Sequence, residues 1–141
     1  DSNISPFHAT INKRLPLLTR GLGLAYLAFV NPDQQDMVLN ILSKSDNPED
    51  KVAVNRAEIY RMLDKVKKNG YATRSFHVEP KNSDTIAVPI FGSDGNVVAS
   101  IGLTYFISAF KYRAEPIEKY SENLKDISRE ITRDIARTEI L

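Results

Sequence analysis

Two runs of alternating apolar residues, joined by a polar interruption, occupy residues 84–105. Ile86, Val88 and Ile90 form the first run, Ser93-Asp94-Gly95-Asn96 the interruption, and Val97, Ala99, Ile101 and Leu103 the second. A period of two predicts a β-hairpin, and Asp94-Gly95 suits its turn because glycine enters positive φ without a steric penalty. Pro89 has no N–H to give to a ladder, so its strand should be an edge or carry a local distortion. Gly102 leaves the second strand without a side chain at one point, which admits either a bulge or the close approach of a ligand to the backbone. Shorter alternations predict a strand at Phe7, Ala9 and Ile11 and another over Tyr71 to Val78.

The remaining apolar positions follow helical spacing. Thr19 to Val30 is apolar nearly all round, the pattern of a buried helix. Its first turn holds Gly21 and Gly23, poor helix formers that either allow close packing on the sheet or bare backbone N–H groups to an anion. Asn31-Pro32 caps and starts a second helix to about Lys44, with Met37, Val38, Ile41 and Leu42 as its apolar stripe. After a polar loop from Ser43 to Val52, Asn55 caps a third helix on which Ile59, Met62, Leu63 and Val66 share a face. Lys65, Lys67 and Lys68 complement the dipole at its end and Gly70 stops it. Tyr105 to Arg113 reads as a short helix or turn under which Phe106 and Phe110 pack. From Glu115-Pro116 a long amphipathic helix carries Ile117, Tyr120, Leu124, Ile127 and Ile131. This order of elements predicts an α+β fold, an antiparallel sheet covered by helices.

With 141 residues the chain is expected to be one domain, large enough to bury a core without staples. It has no cysteine, so disulfides and thiolate metal sites are excluded. The longest apolar run, Leu22 to Val30, is far short of a bilayer span, and no membrane association is expected. Nineteen basic and eighteen acidic residues are interspersed, leaving no electrostatic footprint for nucleic acid. His8 and His77 are the only histidines and lack the neighbours a metal site needs. No nucleophile elbow, phosphate loop or dinucleotide fingerprint is present, so neither an enzyme nor a cofactor is expected.

Three patterns occur in one order: Leu15-Pro16 with Gly21-Leu22-Gly23-Leu24-Ala25-Tyr26-Leu27-Ala28; Lys68-Asn69-Gly70-Tyr71-Ala72; and Ile86-Ala87-Val88-Pro89-Ile90 with Asp94-Gly95 and Val97-Val98-Ala99-Ser100-Ile101. Together they resemble the effector-binding domain of the IclR family of bacterial transcriptional regulators, across nearly the whole chain. The resemblance implies a GAF-like antiparallel sheet flanked by helices, with a long C-terminal helix. It also implies a cytoplasmic regulator that pairs as a homodimer or tetramer. DNA would be bound only through an N-terminal winged helix-turn-helix, expected to be absent from this chain. The implied partner is a small organic acid held between the sheet and the glycine-bearing helix. Carried over position by position, its site would use Phe7, the N–H groups of Gly21 and Leu22, Thr85, Gly102 and Thr104.

Arg74 extends this set. In a strand over Tyr71 to Val78 it shares a face with Ala72, Phe76 and Val78, which turns it inward, and a buried guanidinium needs a partner. That partner is either the carboxylate of an effector or an acid of the domain itself, unless the side chain snorkels out at a strand end. The Gly-Tyr-x-x-Arg pattern resembles most the branch of the family that senses aromatic acids. Two other readings stay open: a small-molecule enzyme on a related fold using His77 or Arg74, and a purely structural dimerisation domain.

Overall fold

A computed structural model describes residues 14–74 and 78–140. The predicted strand at Phe7 to Ile11, and with it Phe7 itself, lies outside the described residues, as does His77. The chain forms α1 (Gly21–Leu27), α2 (Pro32–Ser43), α3 (Arg56–Asn69), β1 (Ala72–Thr73), β2 (Ser83–Phe91), β3 (Val97–Phe106) and α4 (Glu115–Ile140). Short 3-10 turns at Asp50–Val54 and Ile107–Ala109 fill two of the connections. The predicted α+β architecture, with its antiparallel sheet and long final helix, is the one found.

Local signals explain most element ends. α1 stops because Asn31 precedes a proline and is held extended, at φ −62° and ψ 155°. The same Asn31 then accepts a hydrogen bond from the Gln34 N–H at 2.8 Å and starts α2 with Pro32 in its first position. Asn55 caps α3 through the Glu58 N–H, and Gly70 ends it at φ 77°. Between β2 and β3 the loop closes with Gly95 at φ 83°, while Asp94 Oδ1 accepts from the Asn96 N–H at 3.0 Å.

The sheet has the order β1-β2-β3, antiparallel throughout. β2 is its centre and is covered on both faces. Ala87 belongs to the core formed with α1, α2 and α3, which includes Leu18, Leu27, Leu39, Ile59 and Leu63. Ile86 and Val88 face the other way, against Leu124 of α4 with Ile101, Leu103, Ile117 and Tyr120 around them. Phe110 stacks edge-on between Tyr105 and Tyr120, at 5.2 and 6.1 Å.

Several expectations are corrected. The strand predicted over Tyr71 to Val78 is reduced, among the described residues, to the two pairs Ala72 with Ala87 and Thr73 with Ile86. Among the described residues β2 therefore runs on beyond β1, and Pro89, which has no N–H to give, sits in the stretch that pairs only with β3. Gly102 is not a bulge: it pairs regularly with Ala87, and the irregularity lies at Ile90 and Phe91. On α2, Met37 and Ile41 are exposed and Leu39 takes the core position. On α4, Ile127 is exposed while Ser121 and Ser128 are buried against the sheet. In both helices tertiary packing adjusts the predicted stripe rather than replacing it, since Leu42 on α2 and Ile117, Tyr120 and Leu124 on α4 do turn inward.

Candidate functional site

The start of α1 lies directly on the sheet. A Cβ at Gly21 would stand 3.3 Å from Thr85 O, 3.5 Å from Ala72 O and 3.6 Å from Ala87 Cβ, so glycine allows this approach. Gly23 serves the preceding turn instead, since a Cβ there would fall 2.1 Å from Leu17 O and the chain could not pass. Close packing thus explains the missing side chain at both positions. The N-cap residue Arg20 gives no side-chain hydrogen bond to the first turn.

Leu22 reaches over β3. Its carbonyl accepts from Ser100 Oγ at 2.9 Å, and its Cδ2 would lie 3.0 Å from a Cβ at Gly102. That Cβ would also stand 3.1 Å from Thr85 Cγ2, so Leu22, Gly102 and Thr85 meet at one point. Two residues along β3, Thr104 pairs with Thr85, their hydroxyl oxygens 2.8 Å apart. Gly102 is exposed and Thr104 half-buried. The result is an open shelf on the α1 side of β3 with an apolar wall at Leu22 and a polar pair at its end.

Arg74 stands behind this pair and is 9% exposed. Its guanidinium donates to Pro80 O at 2.9 Å, to Ser83 O and Ser83 Oγ at 3.2 Å each, and to Thr85 Oγ1 at 3.3 Å. No carboxylate lies within ion-pair distance of it among the described residues. Burial, and next the nearby Arg20 guanidinium, lower its pKa, while Asp84 and Tyr105 act against this. Asp84 Oδ1 is itself engaged, accepting from the N–H groups of Arg74 at 3.1 Å and Thr85 at 2.7 Å. Arg74 also borders a cavity of about 150 Å³, shared with Val78, Asp84 and Ile107.

The sequence-derived positions Gly21, Leu22, Thr85, Gly102 and Thr104 thus come together, and Arg74 joins them through Thr85. Two participants were missed. Ser100 was readable, since it lies two residues before Gly102 on the same face of a strand. Asp84 was not, because its role is to orient the backbone N–H groups of Arg74 and Thr85, eleven residues apart. The described residues hold no cluster of three or more His, Asp or Glu that could bind a metal.

Residues 3–133 match the family described as bacterial transcriptional regulator IclR C-terminal. The chain belongs to this family. The membership covers nearly all of the sequence and accords with a domain of transcriptional regulators rather than of enzymes. Among solved structures, the IclR protein of Thermotoga maritima is 30% identical with a TM-score of 0.67, over 87% of this chain and 50% of that one. The C-terminal domain of the E. coli regulator KdgR is 22% identical with a TM-score of 0.67, over 87% of this chain and 73% of that one. The inducer-binding domain of the Acinetobacter transcription factor PobR, in a double mutant complexed with 3-hydroxybenzoic acid, is 18% identical with a TM-score of 0.66, over 84% of this chain and 68% of that one. The chain spans about half the length of the Thermotoga protein. Among the described residues, no helix is long and apolar enough to cross a membrane.

Proposed function

We propose that this is the ligand-sensing domain of an IclR-type transcriptional regulator and that its effector, a small organic acid, docks on the shelf formed by Leu22, Thr85, Gly102 and Thr104. The observation that carries the reading is Arg74: a buried guanidinium that contacts hydroxyls and carbonyls but no carboxylate, one hydroxyl away from the exposed Gly102 of β3, which Leu22 and Thr85 border. Asp84 compensates the buried cation only from beyond ion-pair distance, and an entering carboxylate would add to that compensation through Thr85 and Thr104. Gly21 and Leu22 contribute backbone N–H groups to the same space, while Phe7, which the resemblance also implies, lies outside the described residues.

The bare backbone at Gly102 and the apolar wall at Leu22 favour a flat, aromatic acid. A hydroxybenzoate bound by a regulator of the same fold, PobR, is consistent with that choice. In the intact cytoplasmic protein, binding would be relayed to a DNA-reading part outside this chain, through a dimer or tetramer. A thermal-shift panel of aromatic and aliphatic acids tests the reading. A ligand at about 100 times its Kd stabilises by about 2.7 kcal/mol, so a true effector raises the melting temperature visibly and saturably. A panel of aromatic carboxylates without effect would remove the proposal.

A further inference from the structure

At the opposite edge of the sheet from the shelf, a cavity of about 430 Å³ opens where β2 runs on past β1. Ligand pockets commonly measure about 300–1,000 Å³, so the space is sufficient for a small molecule. Its floor is apolar: Val88, with Phe29 and Phe91 meeting edge to face at 5.5 Å. Its rim is cationic, with Lys67 from α3 and Lys125, Arg129 and Arg133 from α4, and no acidic residue lines it. Lys125 and Arg129 pair with Glu122 and Asp126 on their own helix. Lys67 and Arg133 have no carboxylate within ion-pair distance among the described residues.

The strand edge under this cavity is closed. Pro89 offers no N–H, Ser128 Oγ donates to Pro89 O at 2.6 Å, and Thr132 Oγ1 donates to Phe91 O at 2.7 Å. An added peptide strand, which needs free backbone groups along the edge, finds none at these positions. An apolar floor beneath uncompensated positive charge instead matches a small molecule with one apolar and one anionic end.

We propose that this cavity is a second ligand site, taking a small amphipathic carboxylate whose apolar body rests on Phe29, Val88 and Phe91 and whose charge meets Lys67 and Arg133. Its occupant touches the turn after α1, α3, β2 and α4 together, and so ties the final helix to the rest of the domain. The inference does not depend on the shelf, because the two sites share no residue.

The test is a titration of the protein with 2-naphthoate followed by amide NMR. Saturable shifts at Gly70, Ser128 and Thr132 are expected, with Leu22 and Gly102 reporting the shelf independently. Lys67→Glu and Arg133→Glu should each weaken binding at these signals by roughly tenfold, with circular dichroism unchanged. The uncharged 2-naphthalenemethanol should bind at least as much more weakly. The proposal is overturned if no saturable shift occurs at these residues, or if the alcohol or the charge-reversed variants bind as well as the acid and the wild type. It is equally overturned if sedimentation shows the cavity covered by a second copy of the chain that the charge reversals release.

Discussion

Thr85 and Thr104 face one another across β2 and β3 with their hydroxyl oxygens 2.8 Å apart, and the same Thr85 Oγ1 accepts from the Arg74 guanidinium at 3.3 Å. This pair joins the open surface of β3 to the buried charge behind it. Thr85→Val keeps the shape and removes both bonds. Leaving a buried guanidinium donor unsatisfied costs about 1–3 kcal/mol, so a fall in stability of that size is expected in urea unfolding. Affinity for the effector should fall with it, whereas Thr85→Ser should keep both.

Arg74 holds the turn before β2 through Pro80 O and Ser83 O. Arg74→Met should therefore destabilise by about 2–4 kcal/mol, since several buried acceptors lose a charged donor at once. Arg74→Lys should not restore stability, because one ammonium cannot reach acceptors arranged for a planar fork. If the charge also attracts the effector, the methionine variant loses its preference for acids over their amides. Thermal unfolding of both variants, with and without acid and amide, separates the two effects.

The three glycines around α1 and β3 should respond in a defined order. Gly23→Ala drives a methyl into the backbone of Leu17 and is expected to cost about 3 kcal/mol or more, at the upper end of overpacking. Gly21→Ala presses more gently on Thr85 O and should cost roughly 1 kcal/mol. At Gly102 the nearest atom is the flexible end of Leu22. Thr85 Cγ2 at 3.1 Å and the backbone Ile86 O at 3.2 Å crowd the same Cβ, so Gly102→Ala should cost about as much as Gly21→Ala, roughly 1 kcal/mol, and also weaken acid binding. Equal destabilisation by all three, measured by denaturant midpoint, would contradict the geometry.

Much of this order was legible because its causes are local. Asn31-Pro32, Asn55 with Gly70, and Asp94-Gly95 each act on residues within one turn or one helix, and each does what its chemistry predicts. Exposure of Met37, Ile41 and Ile127 was not legible, because what turns inward depends on elements distant in sequence. Ser128 is the clearest case: a hydroxyl on the buried face of α4 looks like an interruption until Pro89 O is placed 2.6 Å from it. The site shows the same division. Gly21 and Gly102 stand out as backbone without side chains, whereas the partners of Arg74 emerge only when the 79–85 segment folds over it.

Tyr105 supplies a pH signature. Burial, and next the charge of Asp84, push its phenol up to about 12 from an ordinary value of 10.0. The unfolded chain therefore releases this proton first as pH rises. The stability that the neutral phenol contributes is complete below pH 10 and is lost progressively as pH climbs towards 12. Denaturant midpoints measured across that range should fall, and Tyr105→Phe should flatten the fall. A phenolate absorbance titration with no component above the ordinary value would contradict the burial of this ring.

The edge of β2 can be tested by its two caps. Ser128→Ala strands Pro89 O in a buried position and should cost about 1–2 kcal/mol. Thr132→Val, at a half-buried position, should cost less. Thermal unfolding measures both, and no loss in the serine variant would show that water replaces the hydroxyl there.

A small organic acid bound on the proposed shelf would sit at the start of α1 against β3. An amide NMR titration of the protein with 3-hydroxybenzoate, its amide and a set of related aromatic acids tests this placement most directly. Saturable shifts are expected at Leu22, Gly102 and Thr104 for at least one acid, absent with the matching amide and diminished in Gly102→Ala. Acids that bind without moving those three signals, or that fail to bind at all, would contradict it.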